Sequence, residues 1–420
     1  MRDIAIVLAV SWVARAVFVA AIGDHHSLDV EFWRIALDAQ DEGRNPYETG
    51  RLNWPPLWLM VIVALDHAAS AVDVSFLSAL RLYLVLIESA MVVALYLTLL
   101  RAGVRPEAVR RALLFGIALN PIAILLVCQH GNSDVQVGLL VILAVAALLA
   151  HGRSRDVVFW LVACLLLGIG VLAKTVPLIL APVLAPGARL ASTAAKALGA
   201  TLLLGPAVVG VGVILALAPR AVWDHVIGYR STQGYFGVSG ILGVHFPGDP
   251  AGHFEALTGV DVRGRYATLF TLAVLVLVIW LGRRLWREAP LDPDRLFLGV
   301  AIVLMMLVAF GPGYGPQYAY WFLPALVATY VLLDDGWRKL LLVGYVVAVV
   351  TYLVEYAFVS WLGAYATAGD AIADISEYLD DPRRLTLFRL PLFAIYLLVV
   401  VAGVARLAAL RVDPAAESEP

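Results

Sequence analysis

The residues in this chain best suited to chemistry are two carboxylates, Asp29 and Glu31, in the polar segment HHSLDVEFWRIALDAQDEGRNPYETGRLNWPPLW. In an extended backbone, carboxylates two residues apart point to one side. There they share a divalent cation, Mg or Mn, or leave one member free as a base. The bland alternative is a solvated charge pair beside a helix end. A second polar island, Gln129-His130-Gly131-Asn132-Ser133-Asp134, separates two apolar runs. Asn132, Ser133 or Asp134 would suffice to cap the helix that follows, and six polar or small residues exceed what a cap requires. Lys174 closes a further apolar run, where an ammonium either snorkels to the interface or binds phosphate. His225, Tyr229, Arg230, Gln233, Tyr235 and Phe236 mix stacking and hydrogen-bonding groups, as an interfacial aromatic belt also does. The last cluster places glycines from Gly311 to Gly315 ahead of Gln317, Tyr318 and Trp321, which gives either close approach of backbone to a ligand or simply a tight turn.

These groups need elements to hold them, and composition names the kind. Of 420 residues, 62% are apolar and 15% charged, against about 45–50% and 25% in soluble domains. That excess excludes a water-soluble enzyme and predicts an all-α polytopic membrane protein, residues 1–420 forming a single integral membrane domain. The net charge of -2, with no basic domain, gives no reason to expect nucleic acid as a partner. Cys128 and Cys164 fall inside apolar runs, so buried thiols are expected rather than a disulfide or metal cluster. The first run, Ile4 to Ile22, ends in Ala20 and Ala21 like a weak signal peptide, but Arg15 in its middle and the many later spans favour an uncleaved helix.

Twelve stretches are long and apolar enough to be candidate spans: 4–22, 79–101, 111–128, 133–150, 157–173, 175–187, 195–218, 266–282, 295–311, 317–333, 339–361 and 386–408. The stretch 175–187 is the weakest, with Pro177, Pro182 and Pro186. A thirteenth, 55–72, opens with Pro55 and Pro56 and contains Asp66 and His67, so an interfacial or re-entrant helix is expected. With twelve spans and a cytoplasmic N-terminus, 17 of the 30 basic residues fall inside. They include Arg2, Arg101, Arg105, Arg110, Arg111, Arg153, Arg155, Arg338 and Lys339, as the positive-inside rule demands. Both termini are then cytoplasmic, including a polar tail at 411–420. A first outer loop at 23–78 carries an amphipathic helix from Phe32 to Ala39, and 219–265 forms another outer loop, so the candidate residues all share the outer face. No internal repeat is visible.

In their order along the chain, Asp29-x-Glu31, Asn45-Pro-Tyr-Glu with Trp54-Pro-Pro-Leu, Leu119-Asn-Pro with Gly131-Asn-Ser-Asp, Lys174-x-x-Pro177 and Gly315-Pro-Gln-Tyr-x-x-Trp321 resemble the C-type (GT-C) membrane glycosyltransferases. The likeness runs from about Asp29 to Pro324. Within that family the chain is most similar to the first-mannose glycosylphosphatidylinositol mannosyltransferases and related bacterial polyprenyl-phosphate-mannose-dependent enzymes. The family's first acidic pair is usually Asp-x-Asp, and Glu31 departs from it.

The resemblance implies transfer of a hexose, mannose by likeness, from a polyprenyl-phosphate sugar to a lipid or glycan acceptor, at the plasma membrane in a bacterium. A phosphate leaving group departs as an anion and needs positive charge more than a strong acid. One carboxylate then serves as base for an inverting attack by the acceptor hydroxyl. Asp29 is expected in that role, with Glu31 orienting it or holding a cation. Lys174, Arg230 and Arg51 are candidates for the phosphate. Asn132, Asp134 and Gln317 would bond sugar hydroxyls, with Trp54 or Trp321 against the sugar's apolar face and Gln129, His130, Gln233 and Tyr318 lining the same site. Two other readings share the span count and outer aromatics. One is a transporter or flippase of lipid-linked sugars, expected to carry ionisable groups near the bilayer midplane. The other is a ligase or polymerase of lipid-linked glycans, expected to show more basic residues for a diphosphate donor.

Overall fold

The computed structural model describes residues 2–184, 188, 191–227, 236–239, 262–286, 291–311, 315–355 and 382–409. Regular structure among them is helical: α1 Arg2–Ile22, α2 Leu28–Asp41, α3 Pro56–Ala71, α4 Phe76–Arg101, α5 Pro106–Leu113, α6 Pro121–Leu125, α7 Asp134–Ser154, α8 Val157–Ala173, α9 Thr193–Leu217, α10 Val262–Trp286, α11 Pro293–Phe310, α12 Ala319–Leu332, α13 Asp335–Val354 and α14 Pro382–Ala409. Among the described residues, seven helices are long and apolar enough to cross a membrane, or eight if a bent pair counts as one span. The chain is a polytopic helical membrane protein. The tail at 411–420 and most of 219–265 lie outside the described residues.

The bent pair is the expected stretch 111–128. Pro121 cannot donate a backbone hydrogen bond, so the helix running from Pro106 stops at Ala118 and restarts at Pro121 with a 49° bend. Wide π-type turns, Leu114–Ala118 and Leu126–His130, end the two halves. Polar groups freed at such a break inside hydrocarbon must find partners within the protein. Asn120 supplies some, its amide Oδ1 accepting from the Ile122 N–H at 2.9 Å and its Nδ2 donating to the Gly116 carbonyl at 2.9 Å. Arg15, in the middle of α1, supplies the rest by donating to the Ala118 carbonyl at 2.9 Å and the Ile117 carbonyl at 3.5 Å. Its charge is met by Glu88 of α4 at 2.5 Å, both side chains being at most 2% exposed, and Tyr320 of α12 donates its hydroxyl to Glu88 at 3.2 Å.

Contacts along the helices give their directions. Trp12 of α1 donates to Ser89 of α4, and Arg81, near the start of α4, donates to the Gly23 carbonyl just past the end of α1. At the other end of this antiparallel pair, Asp3 meets Arg110 at 2.8 Å. One end of the bundle therefore gathers the end of α1 with the starts of α2, α4, α7 and α12. Trp58, in the first turn of α3, packs on Trp33 of α2. Ala71 is joined to Phe76 at the start of α4 by a four-residue link, and at 16 residues α3 is shorter than the helices long enough to cross a membrane.

The stretch 175–187 departs from expectation, because Pro177 and Pro182 deny it an α-helical hydrogen-bond ladder. It forms a nine-residue 3-10 helix, Val176–Leu184, about 18 Å long at roughly 2.0 Å per residue. Even so, the chain turns back there. Trp160, Gly168 and Leu172 of α8 lie against Gly199, Leu202 and Gly210 of α9 in the same order, so α8 and α9 run parallel and their connection must retrace the length between them.

Arg15→Met would strand the Glu88 carboxylate among apolar helices and should cost about 3–5 kcal/mol of stability. Denaturant unfolding in detergent measures this. Arg15→Met combined with Glu88→Met should lose less than the single change, and an equal or larger loss would show that the ion pair is not the source.

Candidate functional site

The site begins where α2 begins. Leu28–Asp41 buries Val30, Trp33, Ala36, Leu37 and Ala39, a spacing that puts one apolar stripe against the bundle. Trp33 fills the middle of that stripe and meets Trp54 and Trp58 edge-on at 5.4 and 5.0 Å. The helix starts earlier than its apolar pattern suggests, which changes the acidic pair. Asp29 and Glu31 occupy the first helical turn, not an extended segment, and residues two apart on a helix point about 200° away from each other. Asp29 faces inward, its side chain 21% exposed. Glu31 faces outward, 48% exposed, and pairs with His26 and Arg34. The expectation of two carboxylates sharing one cation does not fit this geometry.

Asp29 is met by the hairpin between α6 and α7. His130 Nε2 lies 2.9 Å from Asp29 Oδ2, and Asn132 Nδ2 donates to the same oxygen at 2.8 Å. Gly131 makes this possible twice over. It adopts φ +67°, and a Cβ there would lie 3.1 Å from Val30 Cγ2 and 3.3 Å from Leu80 Cδ2. A side chain here would take a strained backbone and push Val30 and Leu80 back by a few tenths of an ångström, so glycine lets the hairpin sit closest on α2. Ser27 ties the two together further, its hydroxyl donating to the His130 carbonyl at 2.8 Å and its N–H to the Gln129 carbonyl at 3.1 Å.

Two residues further on, Asp134 heads α7 and is fully buried. Its Oδ1 accepts from Lys174 Nζ, at the end of α8, at 2.6 Å and from Trp321 Nε1 of α12 at 2.8 Å. Tyr318 stacks on Trp321 with ring centroids 4.1 Å apart, and the ammonium lies 5.1 Å from each ring centroid, within cation–π range. Asp134 thus ties three helices at one point, while its Oδ2 and the Oε1 of buried Gln129 have no partner among the described residues. Gln317 stands half-buried beside the turn, and a Cβ at Gly315 would collide with its amide.

Burial works to raise the Asp29 carboxyl, but the His130 hydrogen bond and charge, the Lys174 charge and the Asn132 hydrogen bond outweigh it and hold the group below its ordinary value. The carboxylate is therefore ionised at neutral pH. Both of its hydrogen bonds fall on Oδ2, which leaves Oδ1 for a further donor. Glu31 is also lowered, chiefly by the His26 hydrogen bond. Among the described residues no group of three or more His, Cys, Asp and Glu side chains is placed to hold a metal ion. What the arrangement offers chemically is an ionised base, a buried acid and ammonium pair, and an aromatic stack at one end of the bundle.

Other candidates lie apart from it. Trp54 is 5% exposed and packed into the α2 aromatic cluster, with its carbonyl accepting from the Tyr47 hydroxyl at 3.2 Å, so it offers no ring face to a sugar. Arg51 sits over Phe32 at 5.2 Å. Arg230 and Gln233 lie outside the described residues. Cys128 and Cys164 are buried free thiols. Family models give no match to this chain, and neither do curated proteins.

Arg81 is the residue that sequence reading passed over. It donates to the carbonyls of Cys128, Gly23 and His25, each at 2.7 Å, and so clamps the end of the hairpin helix to the strand of chain entering α2. An ionisable residue inside an apolar run is a standing signal of such work, and Arg81 and Glu88 both carried it.

Gly131→Ala should lose more stability than Gly43→Ala. Both take a left-handed conformation that costs an L-residue about 1–2 kcal/mol, but a Cβ at Gly43 meets nothing within 4 Å. Unfolding midpoints of the two variants compare them directly, and equal losses would mean that α2 is not seated on the hairpin.

Proposed function

We propose that the chain is a glycosyltransferase that moves a hexose, mannose by its resemblance, from a polyprenyl-phosphate sugar donor to a lipid or glycan hydroxyl with inversion. The observation that carries this reading is Asp29: an inward carboxylate kept ionised by His130, Asn132 and Lys174, with one oxygen left open. In the reaction the acceptor oxygen forms a bond to the anomeric carbon while the bond from that carbon to the phosphate oxygen breaks. The acceptor proton passes to Asp29, and polyprenyl phosphate leaves with the electron pair. The leaving anion needs positive charge, not a proton. Lys174 keeps two further N–H donors after Asp134, and the positive dipole ends of α7 and α12 face the same region. Trp321 and Tyr318, stacked on each other and each 8% exposed, present ring edges rather than an open face to the sugar, half-buried Gln317 supplies a hydrogen-bonding group, and buried Asn132, Asp134 and Gln129 back the site from within. Glu31 orients the start of α2 through His26, and no step is routed through a cation.

Within this reading the chain has a GT-C-like fold of twelve spans, both termini cytoplasmic and the site on the outer face. The return of the chain between parallel α8 and α9 supports the even span count. The Asp3–Arg110 end, opposite to Asp29, carries Arg101, Arg105 and Arg111 as well, which suits the cytoplasmic side.

The transporter reading gains something from Arg15 and Glu88, charges in the middle of their helices. They are closed on each other and at most 2% exposed, as a structural pair would be and an ion pathway would not. A ligase acting on a diphosphate donor is less well served, because Arg81 is committed to three carbonyls and Lys174 is the cation at the site among the described residues.

Purified protein in detergent, supplied with radiolabelled polyprenyl-phosphate mannose and a membrane lipid extract, should form labelled glycolipid. Asp29→Asn should lower the rate about 10²–10⁴-fold with unchanged unfolding behaviour, whereas Glu31→Gln should cost less than tenfold. Full activity of Asp29→Asn would remove it from the base role. Because Asp29 titrates below its ordinary value, about 3.9, the rate should hold down to about pH 4 and fall only below it. Asn132→Ala removes a bond to the ionised form and should move that acid limb to higher pH in the pH–rate profile.

A further inference from the structure

One cavity among the described residues has no part in the site above. It is a cleft of about 930 Å³ between α5, α12, α13 and α14, near the top of the size range of ligand pockets, about 300–1,000 Å³. Its wall follows α12 from Ala319 to Leu332, about 20 Å at 1.5 Å per residue. Phe322, Leu326, Leu341, Ala348 and Val399 keep most of that length apolar. Charge in the lining is confined to one end, where Arg105, Arg111 and Arg338 stand with Glu107 in the wall and Asp335 beside it, an excess of one positive charge. These arginines differ in their commitments. Arg338 donates to the Tyr330 and Val331 carbonyls at the end of α12 and pairs with Asp335. Arg111 is 69% exposed and pairs with Glu107 at 2.5 Å. Arg105 is exposed and makes no ion pair or side-chain hydrogen bond among the described residues.

We infer that this cleft holds an acyl chain of an anionic phospholipid, with the phosphate at Arg105 and Arg111. An apolar furrow on a helical membrane protein is filled by hydrocarbon, since leaving it empty forfeits dispersion contacts along both walls. Any lipid tail meets that need. The surplus of arginine at one end is what selects among lipids: guanidinium forks match phosphate oxygens, and basic pockets between membrane helices attract anionic head groups by about one kcal/mol per residue. A zwitterionic lipid fills the apolar length equally well and gains no net attraction at the head. The inference stands independently of the reaction assigned to Asp29, because Asp29, Asp134 and Lys174 take no part in the lining.

Native mass spectrometry of the full-length protein in detergent tests it, with dioleoylphosphatidylglycerol and dioleoylphosphatidylcholine as the two probes. One phosphatidylglycerol per chain should be retained in preference to phosphatidylcholine. Arg105→Gln should weaken that retention about fivefold, and Arg105→Gln with Arg111→Gln about 25-fold, with phosphatidylcholine unaffected. Ala108→Trp, at an exposed position on the rim, should reduce retention of both lipids. Each variant must show the wild-type unfolding midpoint in lipid-free detergent. Equal retention of the two lipids by the wild type, an unchanged preference in the double arginine variant, or full retention in Ala108→Trp would each overturn the assignment.

Discussion

The seating of the α6–α7 hairpin on the start of α2 is the constraint on which the candidate site depends. Gly131 permits it, by its left-handed backbone and by the lack of a Cβ that would press on Val30 and Leu80. Once seated, the next few residues reach three other elements: His130 and Asn132 bond Asp29 of α2, and Asp134 bonds Lys174 of α8 and Trp321 of α12. Three elements far apart in sequence are thereby fixed by a turn of a few residues. Arg81 secures the same turn from α4 through three carbonyls.

The helix break that delivers this hairpin follows from the rules of an apolar solvent. Pro121 ends one half-helix and begins another, and the carbonyls left unpaired cannot turn to water inside hydrocarbon. Arg15 satisfies them, which obliges the fold to bury a guanidinium, which in turn obliges it to bury Glu88. A buried ion pair contributes little net stability, yet removing one member is costly. Its value here is positional: it fixes α1, α4, α12 and the break at one level of the bundle, close beneath the site.

The polar groups at the site divide into two kinds. Asp134 and Lys174 neutralise each other and behave as structure, with two ammonium hydrogens left over. Asp29 is different, since its hydrogen bonds come from donors on one oxygen and none of them removes its charge. A carboxylate held ionised, partly exposed and open on one side is placed to accept a proton. Glu31, two residues away, is solvated and engaged with His26, so the two members of a pair that looks symmetrical in sequence have unlike surroundings.

The amino-acid sequence by itself determined the helical membrane class, nearly all the helix positions and the short list of polar islands, because hydrocarbon thickness and backbone hydrogen bonding act on local composition. It also determined that Asp29, the Asn132 hairpin, Lys174 and Trp321 were worth bringing together. It did not determine that α2 starts at Leu28 and so parts Glu31 from Asp29, since a helix start depends on what its first turn packs against. Nor did it show that Trp54 is consumed by the Trp33 cluster, that Val176–Leu184 forms a 3-10 segment, or that Arg81, Arg15 and Glu88 act as clamps. Those outcomes rest on contacts between residues dozens to hundreds of positions apart, and only the packed bundle decides which partner each buried charge and ring obtains.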